Sequence, residues 1–524
     1  MGRALPKSDS TSRSTRTRLG ICALIAVALT ASACGASSPA TSKAARPSGE
    51  WPYPNGDLAN DRVAPASVIS SANVSKLKEA WTLRLAGKGA TNVDGAGSFA
   101  ANPVVVNGVV YIQDLEANVY AVDLATGKLK WEYPVNIPEA SGPGPDGVAV
   151  ANGTVYGDSS TAVFALSAAT GKPVWVDSHL LSNGDGKFEI QPQAANGRVY
   201  ISSAYGDGAG GGVVMALDAA TGKRLWSFNT IRTPDQAVQA IGAGAGGAWE
   251  TPLVGSDGSV TFGIGNPYQS LSAAVSHPAA QLYTDSEVNL DAATGKLRWY
   301  YQVLPNDFYD HDIQDSPIAA SINGAPVIVG GGKLGFVYAW NARTGKLAWK
   351  TSVGEHDGHD NDSVLALEHK LTLQAPYTYE PGGYGGVLTD MALAGGTVYV
   401  ATVDLPFNET SAKTVAPLPE NSGAGEIEAL SLATGKVDWD TKVPQMPLGA
   451  ATISNDLVIS TLFHGELIAL NRATGAIVYQ HKLPTTTNAP IAIASNAVII
   501  PAGGPLTNSR HTRGNPQLIA YTVP

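Results

Sequence analysis

Short apolar stretches recur along the chain, and each is followed by the same polar turn and then by an aromatic residue. In the first copy, Val119 to Val122 leads into the turn Asp123-Leu-Ala-Thr-Gly-Lys128, and Trp131 follows. Apolar runs of this length between glycine-containing turns are typical of β-strands. The glycine supplies the positive φ that a tight hairpin needs, and the aspartate or threonine can bond backbone amides within the turn. Each copy therefore predicts a β-hairpin followed by an aromatic anchor.

Seven copies of this unit make the chain a repeat protein. The copies cover these segments: Ala121 to Trp131, Ala165 to Trp175, Ala216 to Trp226, Asn289 to Trp299, Ala339 to Trp349, Ala429 to Trp439 and Ala469 to Tyr479. We expect each aromatic anchor to pack between neighbouring blades of a repeated sheet structure.

The two ends of the repeated region each carry part of an eighth unit. Trp81 is an anchor with no turn before it, and Gln517 to Tyr521 is an apolar strand with no turn after it. Pairing of these two ends closes a ring and hides both sheet edges. The sequence therefore predicts an all-β fold, an eight-bladed β-propeller closed by the C-terminal strand against the N-terminal segment. A closed ring has no edge that demands a partner, so we expect a monomer.

Two of the spacings between anchors are longer than the others. They lie between Trp226 and Trp299 and between Trp349 and Trp439, so both must contain insertions, which in propellers line one face. Blades of this kind also build scaffolds without any activity, so the insertions are where function has to be sought.

Composition agrees with a large folded domain and narrows the choice of partners. Of the 524 residues, 44% are hydrophobic and 15% are charged, and 58 glycines and 33 prolines supply many turns. Such a chain can bury a large core and is not disordered. A formal net charge of -10 without a dense Lys/Arg stripe argues against nucleic acid as a partner of the folded part. Small molecules and proteins remain as possible partners.

The N-terminus has the pattern of a targeting segment. Arg13, Arg16 and Arg18 precede the apolar run Leu19 to Leu29, which is too short to span a bilayer as a permanent helix. We therefore interpret this region as a signal peptide that exports the protein.

The end of the targeting segment, Ala31-Ser-Ala-Cys34, resembles the lipobox of bacterial lipoproteins, which implies a diacylated Cys34. An ordinary secretory cleavage site with a chance cysteine is the alternative. Residues 1–33 are then a lipoprotein signal peptide, 34–49 a flexible tether and 50–524 the propeller. We expect an extracytoplasmic protein that is attached to the membrane through its lipid anchor only, or one that is secreted. Cys34 is the one cysteine left after cleavage, so no disulfide forms within the mature chain.

The repeat and the opening of the domain resemble a known family. The spacing Asp-x-x-Thr-Gly-Lys-x-x-Trp is the signature of pyrroloquinoline quinone (PQQ) repeats, and Trp51 to Asn60, with Asn73 to Trp81, resembles the start of quinoprotein alcohol dehydrogenases. The resemblance covers nearly all of the mature chain. It implies a PQQ-dependent oxidoreductase that oxidises an alcohol or a sugar with the help of bound calcium or a lanthanide. No Cys-x-x-Cys-His haem motif occurs, so electrons pass to a separate acceptor.

A quinone needs a flat aromatic floor and an oxygen-bound cation, and oxidation of an alcohol needs a base for its proton. By resemblance, Trp249 in Gly246-Gly-Ala-Trp249 stacks on the quinone ring, and Asn266 in Gly263-Ile-Gly-Asn266-Pro binds the metal. The alternatives are a core tryptophan and a plain Asn-Pro turn.

The segment Asp307-Phe-Tyr-Asp310-His-Asp312 resembles the family's catalytic segment, with Tyr309 in place of Trp. Asp310 matches the catalytic base and a metal ligand, and Asp312 matches the additional ligand of lanthanide-dependent members. Three carboxylates this close repel each other unless a cation or solvent compensates, so the alternative is an exposed loop. Lys333 matches the cation that the family places against the quinone and the catalytic aspartate, and its alternative is a surface lysine.

Some residues depart from the family's pattern. Asp207 stands where the family has a metal-binding glutamate, and Asp146 stands near the family's arginine for a quinone carboxylate. The loop Glu355 to Asp362 carries histidines and aspartates that suit a metal, but we expect a solvated insertion. These departures keep an alternative function open, a non-catalytic PQQ-repeat propeller that serves as a binding platform or an envelope assembly scaffold.

Overall fold

The computed structural model describes residues 49–85, 98–135, 147–182, 186–203, 212–231, 246–411, 414–417, 423–503 and 516–524. All of them belong to one unit, Arg46–Pro524. The proposed signal peptide, residues 34–48 of the tether with Cys34, and the positions Asp146 and Asp207 lie outside the described residues. No helix within the described ranges is long and apolar enough to cross a membrane.

Antiparallel sheets form eight blades, as the repeats predict. The first three blades in chain order comprise β2–β5 (Val104–Val106, Val109–Gln113, Val119–Asp123, Leu129–Tyr133), β6–β9 (Ala149–Ala151, Thr154–Ser159, Ala162–Ser167, Pro173–Asp177) and β10–β13 (Gln193–Ala195, Arg198–Ser202, Val213–Asp218, Arg224–Asn229). The next three comprise β14–β17 (Leu253–Val254, Ser259–Ile264, Ser286–Asp291, Leu297–Gln302), β18–β21 (Ile318–Ile322, Ala325–Gly332, Phe336–Asn341, Leu347–Ser352), and β23–β25 with β28 and β29 (Gly386–Val387, Ala392–Ala394, Thr397–Asp404, Ala424–Ser431, Val437–Val443). The last two comprise β30–β33 (Thr452–Ser454, Leu457–Leu462, Glu466–Asn471, Ile477–Lys482) and β34–β36 with β1 (Ala492–Ala494, Ala497–Ala502, Gln517–Thr522, Lys78–Arg84).

Burial changes across each blade in the way that a propeller requires. The first strands ring the centre, since β2 contacts the first strands β6 and β34 of the blades on both sides. The third strand β20 is buried at its four central positions, whereas the outer strand β21 alternates between half-buried and exposed positions. The core therefore lies between blades, and the outer strands face solvent on one side.

The predicted packing of the anchors between blades is confirmed. A Cβ atom at Gly127 would lie 2.5 Å from the indole of Trp81, and the indole N–H of Trp81 donates to the Leu124 carbonyl oxygen at 2.8 Å. Seven indoles lie in this way on the turn glycine of the next blade: Trp81 on Gly127, Trp131 on Gly171, Trp175 on Gly222, Trp226 on Gly295, Trp299 on Gly345, Trp349 on Gly435 and Trp439 on Gly475. The turn position thus requires glycine because it leaves no room for a side chain as well as because of its positive φ.

The ring closes as the two half-units predict. Strand β1 pairs antiparallel with β36, with Trp81 opposite Ala520 and Arg84 opposite Gln517. The closing sheet has the order β1-β36-β35-β34, so the N-terminal strand forms the outer edge of a blade whose other strands come from the C-terminus.

The segment that precedes β1 crosses the ring of first strands. Trp51 forms an antiparallel bridge with Val105, and Val63 forms a parallel bridge with Ile453 on a distant blade. A short 3-10 helix, Val74–Lys76, follows and leads into β1.

Arg62 fixes this crossing segment in the interior. Its side chain is fully buried and donates to Asn55 Oδ1 at 2.6 Å and to Thr452 Oγ1 at 2.8 Å. It also lies 3.5 Å from Asp390 Oδ2, which compensates its charge. Burial lowers the pKa of the guanidinium although this carboxylate opposes the shift. One buried cation thus ties the N-terminal segment to several blades.

The two long spacings contain the insertions. The helix Leu271–Ser276 lies between β15 and β16, and the helix Asp362–Leu367 follows β21. The second insertion also contributes a three-stranded sheet of β22 (Tyr377–Tyr379), β26 (Phe407–Ser411) and β27 (Thr414–Pro417). The two helices contact each other, so the insertions of different blades meet.

Alanine at the turn glycines tests the contact between anchor and turn. Gly127 and Gly108 have φ of 66° and 70°, but a Cβ at Gly108 meets no atom within 4 Å. Both variants place alanine in the left-handed region, at a cost of roughly 1–2 kcal/mol. Only Gly127→Ala also displaces the Trp81 indole, so we expect it to cost about 1–3 kcal/mol more. Urea unfolding of both variants measures the difference, and equal losses would contradict the packing role.

Candidate active site

The site residues expected from the sequence lie on two neighbouring blades, β14–β17 and β18–β21, or in the connections next to them, and they meet beside the insertions. Trp249 precedes β14, Asn266 follows β15, Asp310 and Asp312 lie between β17 and β18, and Lys333 follows β19. These positions are ends of strands or the loops next to them, where side chains can turn away from the sheet.

Asn266 brings the two aspartates to one point. Its Nδ2 donates to Asp310 Oδ1 and, at 2.7 Å, to Asp312 Oδ1. Its backbone N–H also donates to Asp312 Oδ1 at 2.6 Å, and its own Oδ1 accepts from the Tyr268 backbone N–H. Both carboxylates therefore lie within hydrogen-bonding distance of the Asn266 amide nitrogen.

Lys333 forms ion pairs with both aspartates. Its Nζ lies 2.6 Å from Asp312 Oδ2 and 3.1 Å from Asp310 Oδ2. The Asp312 side chain is fully buried and that of Lys333 is 6% exposed, whereas the Asp310 side chain is 33% exposed. Asp310 is thus the carboxylate of this pair that a substrate can reach, and the alternative of a surface lysine is excluded by the burial of Lys333.

The site is more acidic than one lysine can neutralise. Burial raises the pKa of Asp310 to about 8, with Asp312 adding to the shift and Lys333 opposing it. Burial lowers the pKa of Lys333, but the two aspartates outweigh this effect and raise it above its ordinary value. Asp285, fully buried nearby, has a strongly raised pKa, first through burial and then through Asp307, and neither of its carboxylate oxygens has a hydrogen-bond partner among the described residues.

The third carboxylate of the catalytic segment has a different task. Asp307 Oδ1 accepts from the Tyr309 N–H at 3.2 Å, and Oδ2 accepts from the His311 N–H at 3.0 Å. Asp307 therefore shapes the backbone around Asp310, whose φ of 66° is in the left-handed region. Only two of the three carboxylates face Lys333, which reduces the repulsion that the sequence implies.

Trp249 faces Lys333 and is no interblade anchor. The ring centroid lies 5.7 Å from Lys333 Nζ, and the residue is 8% exposed. Its indole nitrogen has no hydrogen-bond partner within the described ranges, unlike the seven anchors. The structure therefore brings Trp249, Asn266, Asp310, Asp312 and Lys333 together.

Tyr384 is a site residue that the sequence interpretation missed. Its ring centroid lies 5.9 Å from Lys333 Nζ and 5.3 Å from the ring of Phe407, and the residue is 39% exposed. It belongs to Gly382-Gly-Tyr-Gly-Gly386, and a Cβ at Gly383 would lie 3.2 Å from Asp310 Oδ2. A lone aromatic residue among glycines is the same signal that singled out Trp249.

The loop Glu355 to Asp362 is partly the solvated insertion that we expected. Glu355, Asp357 and Gly358 are exposed, but Asp362 is buried. Its histidines pair within the loop, with His356 Nδ1 at 2.7 Å from Asp360 Oδ1 and His359 Nδ1 at 2.6 Å from Asp362 Oδ2.

Within the described ranges, the group of three ligand-type residues that lies close enough for an ion is Glu426, Glu428 and Asp440. The protein itself compensates this group, because Lys442 Nζ lies 2.6 Å from Glu426 Oε1 and the Gly354 N–H donates to Glu428 Oε1 at 2.8 Å. The carboxylates therefore fasten the second insertion to its blade.

The chain matches known proteins over most of its length. Residues 51–358 match the family model described as "PQQ: Glucose/ethanol/alcohol dehydrogenase, beta-propeller domain". Residues 284–497 match the model described as "Outer membrane protein assembly factor BamB". Because the first match covers more than half of the chain, the chain belongs to the glucose/ethanol/alcohol dehydrogenase β-propeller family.

Individual relatives agree with this assignment. The chain is 26% identical over 504 residues to the quinohemoprotein alcohol dehydrogenase of Comamonas testosteroni. The alignment covers 84% of this chain and 69% of that protein. It is 24% identical over 444 residues to the quinoprotein glucose dehydrogenase of Gluconobacter oxydans (strain 621H), with coverage of 74% and 54%.

Solved structures show the same fold. The crystal structure of the Comamonas testosteroni enzyme superimposes with a TM-score of 0.75 at 23% identity, over 90% of this chain and 80% of that one. A europium-containing methanol dehydrogenase also gives a TM-score of 0.75, at 19% identity, over 91% of this chain and 99% of that one. These likenesses establish the fold and leave the activity to be argued from the site.

Asparagine at each of the two site aspartates tests how their charges are balanced. Asp312→Asn breaks a buried ion pair with Lys333, and the new NH2 group must face either Lys333 Nζ or the Asn266 donors. We expect this variant to lose about 3 kcal/mol of folding stability. Asp310→Asn, at the more exposed position, is expected to cost about 1 kcal/mol. Denaturant unfolding without added metal or quinone measures both, and a larger loss at Asp310 would contradict the assigned geometry.

Glu428 makes folding stability depend on pH. Burial raises the pKa of its carboxyl to about 8, against an ordinary value of 4.5. The folded state therefore binds the proton more tightly than the unfolded state, and the resulting stabilisation, complete below 4.5, is lost as the pH rises through about 8. Glu428→Gln retains the acceptor oxygen for the Gly354 N–H but cannot ionise. Between about pH 5 and pH 8, we expect the free energy of unfolding, measured with urea, to fall less in this variant than in the wild type. Equal falls in the two proteins would contradict the raised pKa of Glu428.

Proposed function

We propose that the protein is an extracytoplasmic quinoprotein dehydrogenase that oxidises an alcohol or a sugar with PQQ and a bound cation. The observation that carries the proposal is the convergence of Asn266, Asp310 and Asp312 around a single point, with Lys333 against both carboxylates. Names of the relatives support it, because several are described as quinoprotein or quinohemoprotein dehydrogenases.

The residues present fit a cation. Carboxylate and amide oxygens are the ligands that calcium and other hard cations prefer. Asp310 and Asp312 face one lysine, and the nearby Asp285 adds a further buried acid, so a cation relieves an excess of negative charge. We propose Asp310 and Asp312 as ligands, together with Asn266 once its amide is turned so that Oδ1 takes the place of Nδ2. Asp207, which the family resemblance adds to this set, remains a proposal because it lies outside the described residues.

The residues present also fit a quinone. Trp249 offers a flat aromatic face next to the cation of Lys333, and its indole nitrogen has no hydrogen-bond partner among the described residues. We propose that Trp249 forms the floor of the cofactor site and that Lys333 contacts the quinone oxygens. When bound, the quinone would be the two-electron oxidant, since it can accept hydride from the alcohol carbon.

The protein's own part in the reaction is proton transfer and orientation. The Asp310 carboxylate, the more exposed one of the pair, accepts the hydroxyl proton of the substrate. Lys333 and Asn266 hold this carboxylate in place from two sides, since each bonds a different oxygen. Tyr384 lies beside Lys333 and packs edge-on against Phe407, so that an aromatic ring borders the reacting groups. The two electrons then pass to a separate acceptor.

One observation favours a second candidate function. The C-terminal part of the repeats matches the BamB family model, and the structure titled "The crystal structure of BamB from Moraxella catarrhalis" superimposes with a TM-score of 0.52 at 12% identity over 85% of this chain and 97% of that one. A non-catalytic propeller that acts as a binding platform or an envelope assembly scaffold would keep the same blades. It has no need for the compensated pair of Asp310 and Asp312, so we rank it second.

We further propose that Cys34 carries the lipid anchor and that the protein acts outside the cytoplasm on the membrane surface. The proposal rests on the arginines, the apolar run and the Ala31-Ser-Ala-Cys34 segment of the sequence. Secretion into the medium is the alternative. A monomer is the proposed oligomeric state, because the ring closes on itself.

Activity measurements with Asp310→Asn test the dehydrogenase proposal. Purified protein is loaded with PQQ and either calcium or a light lanthanide, and dye reduction is followed with primary alcohols and with glucose. We expect the variant to lose about 100- to 10000-fold in kcat, as for removal of a general base. Glu428→Gln is the matched control, because it makes the same exchange of an acid for its amide at a buried position on β28. Wild-type activity in Asp310→Asn would refute the base, and no activity in any loaded protein would favour the scaffold.

A further inference from the structure

The second insertion reaches the residue that precedes the proposed base. The Tyr309 hydroxyl donates to Asp362 Oδ2 at 2.7 Å, and Asp362 begins the helix Asp362–Leu367. His359 Nδ1 lies 2.6 Å from the same Asp362 oxygen, and the Tyr377 hydroxyl lies 2.8 Å from that of Tyr309. We call Tyr309, His359, Asp362 and Tyr377 the tyrosine clamp.

Tyr309 and Asp362 of the clamp are buried, and His359 and Tyr377 are half-buried. Tyr309 and Asp362 are 3% and 5% exposed. The Tyr309 ring stacks on Tyr379 with centroids 4.0 Å apart, and the His359 ring stacks on Tyr377 at 5.2 Å. Burial raises the pKa of Tyr309, so its hydroxyl remains a neutral donor to Asp362. A hydrogen bond from a buried hydroxyl to a carboxylate is among the stronger ones in proteins.

Tyr309 stands at the position where the resembling family has tryptophan. An indole carries one N–H donor and no acceptor, whereas the phenol both donates to Asp362 and meets the Tyr377 hydroxyl. The clamp thus uses His359 and Asp362, two of the polar residues in the loop Glu355 to Asp362.

The segment around Asp310 needs such support. Asp310 has a φ of 66°, a conformation that non-glycine residues adopt only where their surroundings fix it. Before it, the Asn306 N–H donates to Ser363 Oγ at 3.1 Å, and Asn306 Nδ2 donates to the Ala274 carbonyl at 3.1 Å. After it, His311 Nε2 lies 2.9 Å from the Pro381 carbonyl oxygen. The start of the segment is thus bonded to both insertions and its end to the second insertion, while the clamp contacts its middle.

We propose that Tyr309, Asp362 and His359 are positioning residues that hold residues 306–312 so that the Asp310 carboxylate faces Lys333 and the substrate. The catalytic consequence rests on the proposed function of Asp310 as the base. The structural consequence, that the clamp orders this segment, stands on the contacts alone.

Kinetics of the full-length protein loaded with PQQ and calcium or a lanthanide test the catalytic consequence. Tyr309→Phe removes one hydroxyl, Asp362→Ala removes the acceptor, and Asp362→Asn keeps an acceptor oxygen. Misplacement of a catalytic group by about 1 Å can cost on the order of 100-fold in rate. We expect Tyr309→Phe and Asp362→Ala to lower kcat about tenfold with less than about a twofold change in KM, and Asp362→Asn to recover most of the loss. Tyr111→Phe is the control, since it removes a hydroxyl that bonds a carbonyl oxygen away from the site.

Amide hydrogen exchange without cofactor provides the second readout. We expect residues 306–312 to exchange about tenfold faster in Tyr309→Phe than in the wild type, with strand β31 unchanged. Unchanged exchange in Tyr309→Phe overturns the proposal, as does faster exchange with an unchanged kcat. If the loaded wild type is inactive and exchange still rises, the clamp orders the segment and it is the dehydrogenase proposal that fails.

Discussion

The packing of each indole on the turn glycine of the next blade fixes the spacing between blades, and the rest of the molecule depends on that spacing. A side chain at these glycines would overlap the indole, as the 2.5 Å approach at Gly127 shows. Tyr479, the last anchor, faces the blade that is closed by β1 and β36 and has no such turn. There His481 lies beside Tyr479 and within 3.2 Å of the Tyr521 hydroxyl. The seam that ends the ring is therefore chemically different from the other seven.

A rigid ring brings residues that are distant in sequence to fixed positions, and this permits a buried cluster of charge. Lys333 faces both Asp310 and Asp312, and burial raises the pKa of Asp310 to about 8 although Lys333 opposes the shift. A proton and a metal cation stabilise the same carboxylates and compete for them. The ring centroids of Trp249 and Tyr384 lie 5.7 Å and 5.9 Å from Lys333 Nζ, a distance at which an aromatic face attracts a cation.

The fold could be predicted from sequence because seven blades repeat the same turn, which begins with aspartate, asparagine or serine and contains a glycine of positive φ, and because seven of the aromatic anchors are indoles. The residues Trp249, Asn266, Asp310, Asp312 and Lys333 could be assigned by resemblance, and the structure brings them together. Tyr384 and the contact of Tyr309 with Asp362 were not predicted, because they depend on how two insertions fold against each other. Loops of that kind carry no periodic pattern, and a pairing such as Tyr309 with Asp362 is visible only once the chain is folded.

The most direct test of the central claim is a binding titration of purified protein lacking residues 1–34 with PQQ, in the presence and absence of calcium or a light lanthanide, followed by quinone absorbance. The account predicts saturable binding of one quinone per chain that requires the cation and weakens in Asp312→Asn. Absence of quinone binding with every cation, or binding that is indifferent to both cation and Asp312, would contradict it.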